Sequence, residues 1–474
     1  MAIISLLDIA KRGLLAQETA LGVVGQNISN VNTPGYTRQV TELESDPSTP
    51  TAGGVLVGTG VHVGAVEAVL DPILQQRLLR AQADTQHDAA LHDRLAALAT
   101  SLSDVSDPSL ASAVNDFFDA ADALARNPGG LAERESLLGK ANLVASELNR
   151  RSSFVAGQQR DADDRYVNVV KQANADLGHL ARLNASISAA EIGGQRANEL
   201  RDQRQAVLSD LSGLLGTTAA ENEDGSVTVS AANGAVLVAE GSVVHSVAVR
   251  AQGTGLDGAS LHEIGLVDTA GAFIAVPGAF PGGEIGALAT VRDGQLVTAS
   301  GTLDTFAGAL VGEVNRVQTN GGAGAIDLDG HSTASSPFFT GTDAKTIAVA
   351  LTGANAARKI GAALSTQPGD NQNALAIAAL RNAGGIAALG NIGFSSYLAQ
   401  ATAQVGEDAA QAGDAAAASQ SLQNQLQTQR ESISGVNLDE ELSNLLRYQR
   451  AYQASAQVVN VANQILDDLL RLVP

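Results

Sequence analysis

The chain has 474 residues, enough for two to four domains. Apolar residues make up 45% and aromatics only 3%, with no Trp, which argues against large interlocking cores and aromatic-lined pockets. A net charge of -21 with no Lys/Arg stripe argues against nucleic-acid binding, and the absence of Cys removes disulfides, Cys-ligated zinc and thiol catalysis.

At the N-terminus, alternating steps of four and three run through Ile3, Leu7, Ala10, Leu14, Gln17, Leu21, Val24, Ile28 and Val31, all apolar but one. That is a heptad seam on a long helix. Gly13, Gly22 and Gly25 each cost roughly 1 kcal/mol relative to Ala, so the isolated helix should stay frayed until a partner covers the seam. The start does not read as a cleaved signal peptide: its short apolar run meets Asp8, and Lys11 and Arg12 come after it. No run of 18 apolar residues occurs, so no membrane-spanning helix is expected.

Residues 26–39 follow, with amides at Asn27, Asn30 and Asn32 that can bond main chain at a helix end, and a Pro34-Gly35 turn before Tyr36. Residues 46–51 read as a polar linker. Gly53-Gly54 and Gly58-Thr59-Gly60 bracket Val-rich runs that read as a hairpin. Asp71-Pro72 opens a helical region with helices expected over 73–102, 110–125, 131–190 and 195–215. The breaks are Asp107-Pro108, Asn127-Pro128-Gly129-Gly130 and Gly193-Gly194. The third of these helices is long for a globular domain and suggests a rod-like bundle.

From 217 to 286 the period switches to two, with short strands over 226–230, 235–238 and 243–249. Glu223-Asp224-Gly225 and Asn233-Gly234 supply the turns between them. This β-rich insert is expected to project as a knob. Helix is expected again over 288–317, then a glycine-rich loop ending at Phe338-Phe339, a strand over 346–351, and helices over 372–382 and 394–432. The Ala-rich run 409–418 has little bulk, so its neighbours must approach closely.

The last stretch carries the second seam: Leu438, Leu442, Leu445, Gln449, Tyr452, Ala456, Val459, Asn463, Leu466 and Leu470. Asn437 or the acidic run Asp439-Glu440-Glu441 can cap its first turn, and Pro474 follows its end. Such a helix would be about 50 Å long. Seams this narrow pair with each other or with copies of the same chain. Gln449 and Asn463 would fix the register, because a buried amide accepts only a matched neighbour.

The stretch 26–39 resembles the N-terminal motif of bacterial flagellar axial proteins, with Asn27, Asn30, Asn32, Pro34, Gly35 and Tyr36 carrying the likeness. The C-terminal seam resembles the matching end of the same proteins. Residues 432–441, together with 53–71, 200–208 and 370–380, narrow the resemblance to the hook-associated protein 1 family. It implies a structural, non-enzymatic subunit at the junction between hook and filament, needed for filament assembly. It also implies contacts with copies of itself, with the hook protein and with the second junction protein. Export through the flagellar type III channel without a cleaved signal peptide, a chaperone on the C-terminal helix and an extracellular location are implied as well. Hook and rod subunits share the terminal motifs, but the long helical bundle argues against them.

The expected fold is mainly α with an inserted β-rich domain. The terminal helices 1–40 and 436–474 form one domain, 41–216 with 287–435 a helical bundle, and 217–286 a small outer β domain. The reading assigns no cofactor, metal, nucleic acid or membrane. Gly253-Thr254-Gly255-Leu256-Asp257-Gly258 matches a dinucleotide fingerprint, but no helix pattern follows it. Asp327-Leu328-Asp329-Gly330 hints at a calcium loop that lacks further ligands and its closing Glu. His87 and His92 read as solvated, and Asp163-Asp164 as part of a polar helix face. The other reading, a secreted enzyme or adhesin on a helical stalk, requires a polar site within 217–286, where no catalytic residues cluster. Leu445→Asp or Leu14→Asp should abolish assembly and spare the bundle, whereas removing 217–286 should be tolerated better.

Overall fold

A computed structural model describes residues 2–50, 56–102 and 109–472, with side chains from residue 5 to residue 468. The expected turns at Gly53-Gly54 and Asp107-Pro108, the end at Pro474, and the side chains of Ile3 and Leu470 lie outside the described residues.

The chain begins with α1 (Ala2–Ser29). A ribbon follows in which β1 (Gln39–Ser45) pairs antiparallel with β4 (Val61–Ala68), and β2 (Thr49–Pro50) pairs with β3 (Leu56–Val57). This corrects the expected hairpin. Val61–Ala68 does not fold back on the preceding Val-rich run but reaches across to Gln39–Ser45, so the partner strand begins inside the 26–39 motif.

Four helices come next: α2 (Pro72–Leu102), α3 (Leu110–Arg126), α4 (Leu131–Glu191) and α5 (Asn198–Leu215). Asp71 Oδ1 accepts from the N–H groups of Ile73 and Leu74, and Ser109 Oγ from that of Ser112, so both starts are capped by side chains. At 61 residues, α4 runs about 90 Å and passes through two cores. Its first half, from Leu137 to Val155, packs with α3, α7 (Leu296–Gln318), α8 (Gln372–Ala379) and the start of α9 (Phe394–Ser434). Its second half, from Ala162 to Leu183, packs with α5, α6 (Gly283–Thr290) and the β-rich segment.

The composition argument against an aromatic core fails in the first of these. Phe117, Phe118, Phe306, Phe338, Phe339 and Phe394 are all at most 1% exposed and touch ring to ring, at centroid distances of 5.0 to 6.0 Å. Few aromatics still make a core when six of them converge.

The β-rich segment forms a four-stranded sheet, β5 (Thr218–Glu221), β6 (Val227–Ser230), β7 (Val236–Ala239) and β8 (Ser242–Val243). A three-stranded sheet follows, with β10 (Ser260–Val267) between β9 (Ser246–Thr254) and β11 (Phe273–Ala275). The expected turns are present, with Gly225 and Gly234 in the left-handed region at φ of 79° and 85°. It does not stand off as a knob, because Val229, Leu237, Val247 and Leu266 close onto Leu177, Leu180 and Leu211 in one cluster. Removing 217–286 would therefore strip the cover from α4 and α5, at a cost to the stability of both helices.

The fingerprint-like run 253–258 is the β9–β10 turn, closed by Gly255 N–H on Ala259 O at 2.7 Å. The expected helix over 288–317 starts earlier, as α6, and contains a π segment, Val291–Gln295. Gln159 Nε2 donates to the Arg292 carbonyl there at 3.0 Å. Asp163 is buried rather than solvated and accepts from Arg292 Nη1 and from His262 Nδ1, both at 2.6 Å. His87 and His92 are half-buried, each 3.3 Å from a carbonyl oxygen, of Gly283 and Ala409 respectively. The strand expected over 346–351 is two residues, β13 (Ala348–Val349), paired with β12 (Phe339–Thr340). The chain ends in α10 (Leu438–Leu472).

The α4–α5 corner gives a pH prediction. Arg201 donates to both Glu191 oxygens at 2.6 and 2.7 Å, and these bonds hold the Glu191 carboxyl below its ordinary value. A depressed carboxylate stabilises the fold above its unfolded pKa, and that contribution disappears as pH falls through the folded one. Thermal unfolding followed from about pH 5 to pH 3 should show a loss of stability that is smaller in Glu191→Gln.

Candidate assembly interface

The helices α1 and α10 pack antiparallel: Asn27 lies against Glu441 at one end, and Gly13 faces Ser455 further along. The face they share is not the large-residue seam. On α1 the buried side chains are Ala10, Ala16, Ala20, Val23, Val24 and Asn27, and on α10 they are Glu441 and Ala462. A Cβ on Gly13 would come within 3.2 Å of Ser455 Oγ. Small residues let the backbones approach, so packing turns each helix by roughly a quarter turn from the seam read at 100° per residue.

In consequence Leu438, Leu442, Gln449, Tyr452 and Asn463 are exposed, and Leu445, Ala456, Val459 and Leu466 are half-buried. Of the described N-terminal seam, Leu7, Leu14, Gln17, Leu21 and Ile28 on α1 and Val31 just beyond it are half-buried, and only Val24 and Ala10 are closed off. Gln449 and Asn463 thus set no register between the two helices. Leu442 and Leu446, at 51% and 53% exposure, and Val458, Val461 and Ile465, at 38% to 41%, are apolar side chains left exposed along α10. Patches of this kind mark protein contacts.

The motif residues build the place where these helices meet the rest of the chain. Asn27, 1% exposed, donates from Nδ2 to Gln39 O at 2.8 Å and to Glu441 Oε2 at 3.1 Å. Its Oδ1 accepts from Gln39 N at 3.0 Å and from the Tyr36 hydroxyl at 2.9 Å. Burial first, and then Glu199, Asp202 and Glu441, push the Tyr36 phenol up to about 12, so it keeps the proton it donates. Asn30 accepts from Thr33 Oγ1 and donates to Gln26 O, closing the helix end. Gly35 sits at φ 82°, in the left-handed region that favours glycine. Asn32 and Pro34 lie exposed in the same turn.

The motif alone misses the charged partners. Arg38 Nε donates to Glu441 Oε1 at 2.8 Å, and Arg38 Nη2 to Glu440 Oε1 at 2.8 Å. Glu441, 1% exposed, does not cap its helix, since Asn437 Oδ1 does, taking Asp439 N at 3.0 Å. Thr37 donates from N and Oγ1 to the two Asp202 oxygens at 3.0 and 2.7 Å. Arg430 donates to Gly35 O at 2.8 Å. The signal in the sequence was the arginine beside the motif and the acidic run at 439–441.

Asn27→Leu should leave Glu441, Tyr36 and both Gln39 main-chain groups without their partner. The expected cost is at least about 2 kcal/mol, read as lost hydrogen-exchange protection in the first turns of α10.

Among the described residues, Asp327, Asp329 and His331 bring ligand atoms within 4.8 Å of one another, but Arg358 pairs with Asp329 and Asp327 Oδ1 is occupied by two main-chain N–H groups. This is a closed turn.

Residues 95–339 match the flagellar hook-associated protein FlgK helical domain. The chain belongs to the FlgK family. Residues 7–37 match the flagella basal body rod protein family, and residues 427–472 the C-terminal family of the basal body rod FlgEFG proteins. Flagellar hook-associated protein 1 of Salmonella typhimurium (strain LT2) is 27% identical over 562 residues, covering 99% of this chain and 100% of the relative. The protein of that name from Escherichia coli K12 is 27% identical over 550 residues, with the same coverage. Its namesake in Bacillus subtilis is 27% identical over 517 residues, covering 98% of this chain and 97% of the relative. A solved structure of the flagellar hook junction protein FlgK from Burkholderia pseudomallei superposes with a TM-score of 0.62 over 76% of this chain and 100% of that one. At 15% identity that likeness speaks for the fold. The FlgK helical-domain match spans α3, α4 and α5, the β-rich segment and α7, while the two rod matches fall on α1 and α10 with their motif.

Proposed function

We propose that this FlgK-family chain is a structural subunit of the bacterial flagellum, built in at the junction between hook and filament and required for filament assembly. The observation that carries the reading is the apolar surface left along α10 once α1 has packed against its small-residue face. A solitary subunit gains nothing from exposing Leu442 and Leu446, whereas a subunit of a tube covers them with neighbours. The unit of assembly is the α1–α10 pair, and the seam leucines and amides face neighbouring copies, where Gln449 and Asn463 can select the register. On either side stand the hook protein and the second junction protein. The chain works outside the cell after export with its N-terminus intact. A chaperone covers α10 beforehand, because a bare apolar stripe aggregates. The three-part division into a terminal pair, a bundle and a β-rich segment belongs to the same reading, with the β-rich segment docked on α4.

The matches of both ends to rod families favour a second reading, a rod or hook subunit. Deleting the gene separates the two. Loss of a junction subunit leaves hooks intact while filament protein escapes into the medium; loss of a rod or hook subunit removes the hook. The chaperone is tested by a pull-down in which truncation of 436–474 abolishes capture, and capture that survives truncation rejects it.

A further inference from the structure

The chain contains two Asn-Gly pairs, Asn233-Gly234 and Asn320-Gly321. In such a pair the glycine nitrogen can attack the preceding side-chain amide, because no Cβ shields it. The fold treats the two pairs differently. In the turn between β6 and β7 both reacting groups are tied. Asn233 Oδ1 accepts from Ala235 N at 3.0 Å, and Gly234 N–H donates to Ala231 O at 2.9 Å. Asn320 stands where α7 stops. Its φ of 44° lies in the left-handed region, where helices often end and which asparagine tolerates better than most side chains. The loop is closed by main-chain bonds: Gly322 N and Gly324 N donate to Thr319 O at 2.9 and 2.8 Å, and Ala323 N to Asn320 O at 3.1 Å. Among the described residues, no hydrogen bond holds the Asn320 side-chain amide. Asn320, Gly321 and Gly322 are exposed, and a Cβ on either glycine would meet no heavy atom within 4 Å. The residues that end the helix thus leave an unrestrained amide beside a glycine, in open space.

We propose that Asn320 is a site of spontaneous deamidation in the folded protein, and that the fold spares Asn233. Gly321 N bonds to Asn320 Cγ, the bond from Cγ to Nδ2 breaks, and the side-chain nitrogen leaves as ammonia with the proton that Gly321 N gives up. The five-membered succinimide then takes up one water from solvent. Opening at Cγ gives aspartate. Opening at the main-chain carbonyl gives isoaspartate, in which the backbone runs through Cγ. Either product adds a negative charge, and isoaspartate also lengthens the chain between Thr319 and Gly324, whose bond closes the loop. The next residue, Ala325, is 0% exposed and donates from N to Thr333 Oγ1 at 3.0 Å, so the altered loop pulls directly on buried structure.

The test is peptide mapping of the full-length protein after warm incubation at alkaline pH, where the attacking nitrogen loses its proton more readily. Trypsin releases residues 317–345, in which Asn320 is the only asparagine. That peptide should gain about one dalton and split into two forms of equal mass, aspartate and isoaspartate. In the folded protein the conversion should be at least about tenfold faster than at Asn233, where two hydrogen bonds must open first. In about 8 M urea the two rates should converge, because neither pair is then restrained. Asn320→Gly suits the same backbone angle, and it should lack the acidic form that isoelectric focusing resolves as the parent ages. A folded-state rate at Asn320 no greater than at Asn233 overturns the proposal. So does a 317–345 peptide that stays unchanged in the folded protein while it converts in urea, which would mean that the fold protects this site too.

Discussion

Replacing Leu442 by aspartate is expected to abolish incorporation into the flagellum while leaving the monomer as stable as the parent. Leu442 is 51% exposed in the single chain, so the carboxylate costs the isolated fold little. Once a neighbouring copy covers the position, that carboxylate is buried without a partner, at a cost of several kcal/mol per site and repeated in every subunit. The result should be a non-motile cell with intact hooks, filament protein in the medium, and an unchanged melting temperature for the purified protein. It is a cleaner probe than Leu14 or Leu445, which are half-buried within the chain and would mix folding with assembly. A motile Leu442→Asp strain would show that this face is not where copies meet.

The second large effect lies at the opposite end of the molecule. Phe117→Ala should destabilise the bundle by about 3–5 kcal/mol and lower its melting temperature by about 10 °C. Phe117 is 0% exposed and meets Phe118, Phe338 and Phe339 at centroid distances of 5.2, 6.0 and 5.9 Å. Those rings come from α3 and from the segment after α7, so the void cannot close by a local shift. Protection against hydrogen exchange should fall in α3, α4 and α7 together. If only α3 lost protection, the six rings would not form one cooperative core.

The long helices were legible in the sequence because periodicity and punctuation agreed: α2 opens on Asp71-Pro72, α4 follows Gly129-Gly130, and α9 and α10 are split at Gly435. The strand β1 was not legible. Its sequence, Gln-Val-Thr-Glu-Leu-Glu-Ser, is mostly polar and exposed and becomes a strand only by pairing with Val61–Ala68. The terminal seams were found, but their rotation was not, because apolar periodicity follows the large side chains while this pair packs through Gly13, Ala16 and Ala20. The motif asparagines were flagged, whereas the buried charges were not, since Arg38 and Glu441 are 403 residues apart and only the fold brings them together.

The antiparallel arrangement has a mechanical consequence. With Asn27 and Glu441 at the Arg38 end, the start of α1 and the close of α10 emerge together at the far tip, roughly 40 Å away. A sideways force at that tip acts on the Asn27–Glu441 end through an arm of the same length. The buried bonds of Asn27 and Glu441 therefore sit where the bending moment on the pair is greatest.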